Sequence, residues 1–253
     1  MNTAGQRVCV LGLGASGRAA VELLLAQGAQ VTAIDAADNA SLRDWADSAG
    51  QAAELRLGES GLIEERFDLC VVSPGIAVTH QQVVALQAAG IPVWSELELG
   101  SRAVDCPAIG ITGTNGKTTT TELVAAILNA NNRSTIAAGN IGTPLSAVAR
   151  QSSQLDWVTL EVSSFQLETN DLFKPRIGVL LNLAPDHLDR HGTMDDYIRA
   201  KSRLFENQTP SDFALIQWEA WQELKRLGVK LNAQCITFSA TVSEADWYLD
   251  GDQ

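Results

Sequence analysis

One run constrains this chain more than any other: Ile109-Gly110-Ile111-Thr112-Gly113-Thr114-Asn115-Gly116-Lys117-Thr118-Thr119. A short apolar stretch enters a glycine-rich turn, and Gly-Lys-Thr then opens a segment with helical spacing. Such a turn lets backbone N–H groups cradle the phosphates of a nucleotide. Lys117 is placed for the β and γ oxygens, and the Thr118 hydroxyl for Mg2+. Ile111 stands where the strict GxxxxGK[ST] pattern has its first glycine, so the match rests on the strand–turn–helix context.

A second glycine loop lies upstream. Gly12-Leu13-Gly14-Ala15-Ser16-Gly17 has GxGxxG spacing and follows an apolar run directly. Asp35 ends the next apolar run, where an acid would meet a ribose. Taken alone, the loop fits either NAD or glycines that merely permit close helix–strand packing. Around it, buried parallel strands are expected at residues 8–11, 31–34, 69–72 and 92–94, with helices at 16–28, 41–49 and 79–89. A second series follows, with strands at 108–112, 135–138, 158–161, 177–182, 213–217 and 236–238 and helices at 117–131, 194–206 and 219–227. Alternation of this kind covers both faces of a parallel sheet. The reading is therefore α/β, with two successive parallel-sheet domains. A Rossmann-like domain spans 1–95, and a P-loop-type ATPase domain spans 105–253, with the boundary between Trp94 and Asp105.

Charge and cysteines narrow the partners. With 18 basic and 30 acidic residues the formal net charge is -12, which argues against non-specific nucleic-acid binding. The four cysteines, Cys9, Cys70, Cys106 and Cys235, form no CxxC pair and give no zinc spacing. No stretch reads as a signal peptide or as a membrane span, so a cytoplasmic protein without membrane contact is expected.

The chain resembles the Mur ligases and their relative folylpolyglutamate synthetase. Thr112-Gly113-Thr114-Asn115-Gly116-Lys117-Thr118-Thr119 is similar to that family's phosphate loop, and Gly139-Asn140-Ile141-Gly142 to its substrate-contacting turn. Asn182-Leu183-Ala184-Pro185-Asp186-His187-Leu188-Asp189 resembles its N-x-x-x-D-H-x-D segment, and Ser73-Pro74-Gly75-Ile76 fits as well. Glu161-Val162-Ser163-Ser164-Phe165-Gln166-Leu167-Glu168 resembles the D-glutamate-adding member in particular.

The resemblance implies an ATP-dependent ligase of peptidoglycan precursor synthesis. Such an enzyme joins D-glutamate to UDP-N-acetylmuramoyl-L-alanine through an acyl phosphate. ATP would lie on Gly113, Thr114, Asn115, Gly116, Lys117, Thr118 and Thr119. Matched position by position, Glu161 and His187 are similar to Mg2+ ligands beside Thr118. Lys201 is similar to a lysine carbamylated by CO2, whose anion would also serve the metal, and two Mg2+ ions are expected. The catalytic set is then Lys117, Glu161, His187 and Lys201.

Under the same resemblance the first glycine loop holds the UDP of the muramoyl substrate. The substrate-contact candidates are Ala15, Ser16, Asp35, Ser73, Gly75, Asn140, Ser163 and Gln166. Ala36 and Ala37, after Asp35, offer the diphosphate no side-chain donors. A monomer is expected. The resemblance implies as well a third, C-terminal domain that is expected to be missing from this chain. The central domain would lack its last strands, and the chain would bind substrate without turnover.

Plainer readings stay open. Glu161 also reads as a strand-end surface acid, His187 as a polar turn residue, and Lys201 as a solvated helix lysine. His80 and His191 are read as surface or loop histidines without a role. Another ligase of the same family, a non-catalytic nucleotide-binding chain, and an NAD-binding protein using Gly12 to Gly17 are the alternatives.

Overall fold

The computed structural model describes residues 3–49, 52–62 and 65–250. Within the expected ranges 1–95 and 105–253, residues 1–2, 50–51, 63–64 and 251–253 lie outside the described residues. Two compact units form, and neither follows a single stretch of chain. The first comprises residues 1–104, 143–150 and 169–171, and the second 105–142, 151–168 and 172–253.

The first unit runs β1 (Arg7–Leu11), α1 (Ala15–Ala26), β2 (Gln30–Asp35), α2 (Ala40–Ala49), β3 (Glu54–Leu57), β4 (Leu69–Val72), α3 (Gln81–Ala88), β5 (Val93–Ser95) and α4 (Glu96–Ser101). Its sheet has the order β3-β2-β1-β4-β5, all parallel. Successive side chains of a strand point to opposite faces, and here both faces are covered. Val8, Val10, Val31, Ala33, Leu69 and Val71 pack with Ala20, Val21 and Leu24 of α1. Cys9, Leu11, Ile34, Cys70 and Val72 pack with Val83 and Leu86 of α3.

Two later pieces of chain return to this unit. The one-turn helix α6 (Leu145–Val148) lies against α4, where a Cβ added to Gly100 would sit 2.8 Å from Leu145 Cγ. The Ser146 N–H donates to the buried Glu96 carboxylate at 2.6 Å, and the Asp171 N–H donates to Glu98 at 3.0 Å. Continuous domain ranges miss these returns because α4 needs apolar and N–H partners that residues 1–104 do not contain.

The second unit has β6 (Ala108–Thr112), α5 (Lys117–Ala130), β7 (Thr135–Gly139), β8 (Trp157–Glu161), α7 (Ser164–Leu167), β9 (Ile177–Leu180), α8 (Leu188–His191), α9 (Met194–Ser202), β10 (Phe213–Gln217), α10 (Trp218–Arg226), β11 (Gln234–Ser239) and β12 (Trp247–Tyr248). The sheet order is β12-β11-β10-β9-β6-β8-β7, again all parallel. The expected helix at 194–206 ends as α9 at Ser202 and tightens into a 3-10 turn over Arg203–Phe205. Among the described residues no helix is long and apolar enough to cross a membrane.

Candidate functional site

In the first unit the strand order reverses beside β1, between β2 and β4. That is the place where open α/β sheets form a crevice beyond their carboxyl ends. The first glycine loop leaves β1 there. Gly12 has φ +83, and a Cβ on it would come within 2.9 Å of Ser73 Cβ. A Cβ on Gly17 would sit 1.8 Å from the Gly12 carbonyl oxygen, so only glycine lets α1 approach the turn.

Asp35 fixes the loop from β2. Its Oδ2 accepts the Leu13 N–H at 2.6 Å and its Oδ1 the Ala37 N–H at 2.8 Å. Beside it lies a cavity of about 210 Å³ lined by Leu11, Gly12, Ile34, Asp35, Ala36, Ser60, Ile76 and His80 among others. Ala15 and Ser16 begin α1, which no side chain among the described residues caps, and Ser73 follows β4. His80, expected to be idle, borders this cavity and caps α3, its Nδ1 accepting the Gln82 N–H at 3.3 Å.

In the second unit the chain switches sides at β6, which pairs with β8 on one edge and β9 on the other. Loops from the carboxyl ends of these three strands meet. β6 supplies the phosphate loop, β8 ends in Glu161, and β9 leads to Asn182. Gly116 takes φ +80 at the start of α5, and no side chain among the described residues caps that helix. Its first N–H groups therefore face the turn, where a helix start favours an anion.

Side chains organise the loop. Asn182 Oδ1 accepts the N–H groups of Thr114 and Asn115 at 3.1 and 2.9 Å, and its Nδ2 donates to Asn115 O at 2.9 Å. Lys117 folds back, donating from Nζ to the carbonyls of Gly113 at 3.1 Å and Thr114 at 2.9 Å. The Thr118 hydroxyl donates to Glu161 Oε2 at 2.7 Å, and Asn140 Nδ2 donates to Glu161 Oε1 at 2.8 Å. Glu161 is only 2% exposed, so the plain reading as a surface acid is set aside. Gly139 brings Asn140 this close, since a Cβ there would lie 2.3 Å from the Glu161 carbonyl oxygen.

Lys201 is likewise not a solvated lysine. It is 2% exposed, donates to Gly113 O at 2.9 Å, and lies 4.6 Å over the Tyr197 ring. Burial, and then repulsion from Lys117, bring its amine down to about 7, against the opposing pull of Asp186 and Glu161. His187 holds left-handed backbone at φ 52, unusual for a non-glycine residue and the kind of strain that collects at working sites. Its N–H donates to Asp186 Oδ1 at 2.9 Å.

Lys117, Asn140, Ser163, His187 and Lys201 border one cavity of about 200 Å³, with Ser164, Phe165 and Tyr197 completing its wall. Thr118 and Glu161 adjoin it through Asn140. Gln166 does not border it. That residue is fully buried, and its Oε1 accepts the Ser163 N–H at 2.9 Å in a capping box at the start of α7.

The oxygen donors Thr118 and Glu161 are the hard ligand type that Mg2+ takes. Among the described residues no group of three or more His, Cys, Asp or Glu stands ready to hold a metal, so a cation here would need ligands of other kinds. The motif-based reading passed over Tyr197, whose hydroxyl lies 3.1 Å from Thr114 Oγ1. It also passed over His191. Contrary to its expected surface place, His191 has a side chain only 5% exposed, with Nε2 3.0 Å from Ser164 Oγ. Burial lowers the pKa of its imidazole.

Comparison with known proteins fits this geometry. Residues 111–252 match the profile of the Mur ligase middle domain, and residues 6–95 that of the Mur ligase MurD-like N-terminal domain. A UDP-N-acetylmuramoylalanine--D-glutamate ligase from Koribacter versatilis is 42% identical over 94% of this chain and 53% of its own length. One of the same name from Desulfitobacterium hafniense is 39% identical over 100% of this chain and 56% of its own. The chain thus spans about half the length of the curated relatives it matches.

Two solved structures share the fold at low identity. One is UDP-N-acetylmuramate:L-alanyl-gamma-D-glutamyl-meso-diaminopimelate ligase from Neisseria meningitides, with TM-score 0.60, 19% identity, and 93% and 78% of the two chains covered. The other is UDP-N-acetylmuramate-alanine ligase from Thermotoga maritima, with TM-score 0.53, 20% identity, and 97% and 54% covered. The parallel sheets, the phosphate loop on β6, and the two profiles that together match most of the sequence lead to one conclusion: the chain belongs to the Mur ligase family.

Proposed function

We propose that this chain carries the UDP-sugar and ATP sites of a ligase that adds D-glutamate to UDP-N-acetylmuramoyl-L-alanine. The observation that carries the reading is the convergence of Lys117, the Thr118–Glu161 pair, His187 and Lys201 at the ends of three adjacent strands. A free carboxylate is a poor electrophile, because attack on it must expel oxide from an anion. Transfer of the γ-phosphoryl group of ATP to the terminal carboxylate of the muramoyl-L-alanine substrate breaks the bond to the β-phosphate, releases ADP and supplies a leaving group. The amine of D-glutamate then attacks the acyl carbon, and phosphate departs with the bonding electrons.

Phosphoryl transfer asks the protein for position and for neutralisation of charge. Lys117 would exchange the carbonyls of Gly113 and Thr114 for phosphate oxygens, and the N–H groups at the start of α5 would hold the same anion. Thr118 and Glu161 would hold Mg2+, which when bound neutralises charge on the transferring group. Asn140 keeps the Glu161 carboxylate aimed at that position. Lys201 is proposed to react with CO2: its amine, near 7, is substantially neutral at physiological pH, as carbamate formation requires. A carbamate N–H retains one donor for Gly113 O, and the new anion would face Lys117 and, with His187, a second Mg2+.

In the first unit the cavity beside Asp35 would take the uridine end of the substrate, with the start of α1 toward the diphosphate. Ala15, Ser16, Ser73 and Gly75 remain the candidate contacts there, and Asn140 and Ser163 those of the second unit. ATP and UDP-linked precursors are cytoplasmic metabolites, so the same proposal places the protein in the cytoplasm.

Calorimetry on this chain with UDP-N-acetylmuramoyl-L-alanine, Mg-ADP and NAD tests the reading. Binding of the first two and none of NAD is expected. Saturable NAD binding with no response to the UDP sugar would overturn it.

A further inference from the structure

We propose that His191 is a positioning residue of the second unit's cavity. Through the Ser164 hydroxyl it holds the turn that carries Ser163 against the helices that carry His187 and Lys201.

Ser164 borders the cavity yet is 2% exposed, and its Oγ lies 3.0 Å from His191 Nε2. His191 itself does not border the cavity. An imidazole with 5% of its side chain exposed needs polar partners, and its Nε2 has one in Ser164 within hydrogen-bond distance. The second edge, Nδ1, faces Glu168 Oε1 at 3.7 Å. Arg190, on the same helix as His191, donates to both oxygens of Glu168 and places its guanidinium 4.0 Å over the Phe165 ring.

Ser164 and Phe165 belong to α7 and Glu168 caps its end, and Arg190 and His191 both belong to α8. Polar and ring contacts therefore join the two segments at three points. The His191 ring also stands 5.4 Å from that of Tyr197, whose hydroxyl meets Thr114 of the phosphate loop. A shift of His191 is thus transmitted to both walls of the cavity. The inference rests on the nucleotide reading of that cavity, and its test separates the two.

Mg-ADP affinity is measured by calorimetry, and melting temperature alongside it, for the parent chain, His191→Phe, His191→Gln, Ser164→Ala and the double variant Ser164→Ala with His191→Phe. Phenylalanine keeps an aromatic ring beside Tyr197 and loses the hydrogen bond. Glutamine places a polar atom near the position of Nε2. Loss of one hydrogen bond predicts about five-fold weaker binding for His191→Phe and for Ser164→Ala. The double variant should be no weaker than either, because both remove one interaction. Glutamine should restore affinity to within about two-fold.

Parent-like affinity in both single variants overturns the inference, as does failure of glutamine to rescue. If His191→Phe does not fold, Ser164→Ala, which removes a single hydroxyl, decides alone. No Mg-ADP binding by the parent chain overturns the nucleotide reading and the inference with it.

Discussion

Two lysines converge on one carbonyl oxygen: Gly113 O accepts from Lys117 Nζ at 3.1 Å and from Lys201 Nζ at 2.9 Å. Only the first leaves that oxygen for phosphate in the proposed reaction, so the two substitutions should differ. Lys117→Ala is expected to cut Mg-ADP affinity at least about 100-fold, the loss of a charge-assisted contact to a buried anion, with little change in melting temperature. Unchanged stabilisation by Mg-ADP in the variant would refute the assignment. Lys201 calls for a spectroscopic test. With the amine near 7, the neutral form grows as pH rises from 6 to 8, and carbamate should grow with it. A carbamate signal from 13C-labelled bicarbonate is expected over that range and should vanish in Lys201→Arg; a signal that persists there places the carbamate elsewhere. Glu96 gives a third residue-level prediction. It is fully buried, and burial pushes its carboxyl from 4.5 to about 7 despite the Ser146 N–H. Between those values the folded chain holds a proton that the unfolded chain has lost, so stability falls as pH rises through the window. Glu96→Gln keeps an acceptor for Ser146 and cannot ionise. Its stability relative to the parent should rise by on the order of 1–3 kcal/mol from pH 4.5 to pH 8, and parallel melting curves across that range would refute the claim. The glycine-loop pattern alone pointed to Lys117 and Thr118, whereas Glu161 and His187 were singled out only by the family resemblance. Both left Glu96 and His191 illegible, because a charged or polar letter looks the same whether it faces water or a buried partner.

At the scale of elements, close approach rather than propensity decides the first glycine loop. Gly17 lies inside α1, where alanine is worth about 1 kcal/mol more than glycine by helix propensity. The 1.8 Å approach of an added Cβ to the Gly12 carbonyl opposes this, and a backbone contact cannot yield as a side chain can. Gly17→Ala should therefore destabilise the chain by about 1–3 kcal/mol. Gly75→Ala, with nothing within 4 Å of its added Cβ, should stay within about 0.5 kcal/mol. Urea midpoints distinguish the two, and equal midpoints would show that α1 can slide away from β1. Strands buried on both faces, such as β1, β2, β4 and β6, were readable as short apolar runs, and α1 and α5 as the periodic segments after glycine turns. The edge strand β3, sequence ELRL, was not, because half of its residues are charged. The one-turn helices α7 and α8 are shorter than any period that a pattern can show, yet they carry Ser164 and His191. Helix α4 was hidden by Glu96 and Glu98, two acids in a segment that is buried from Glu96 to Gly100.

At the scale of the molecule, the first unit is completed by chain that sequence order assigns elsewhere. Helix α4 presents Leu97 and Leu99, both at most 1% exposed, and Gly100 leaves room for Leu145. Leu145 and Val148 are themselves at most 1% exposed. Burying side chains of this size contributes roughly 1.5–3 kcal/mol each, so α6 supplies about 3–6 kcal/mol before its polar contacts are considered. Those contacts matter too. Without Ser146, the Glu96 carboxylate loses the N–H at 2.6 Å, and without Asp171, Glu98 Oε2 loses its N–H at 3.0 Å. Losing one such hydrogen bond costs a further ~0.5–1.5 kcal/mol. Whole-domain stabilities are only about 5–15 kcal/mol, so the combined loss is comparable with everything that holds such a unit together. A chain cut after Val104, which respects the sequence boundary but removes residues 143–150 and 169–171, should therefore lack a cooperative thermal transition. It should also bind a hydrophobic dye that the intact chain does not. Residues 1–171 retain every segment of the unit and serve as the comparison. A sharp transition in the shorter piece, at the temperature of the intact chain and with no dye binding, would show that residues 1–104 fold alone and that the returning segments merely rest on them.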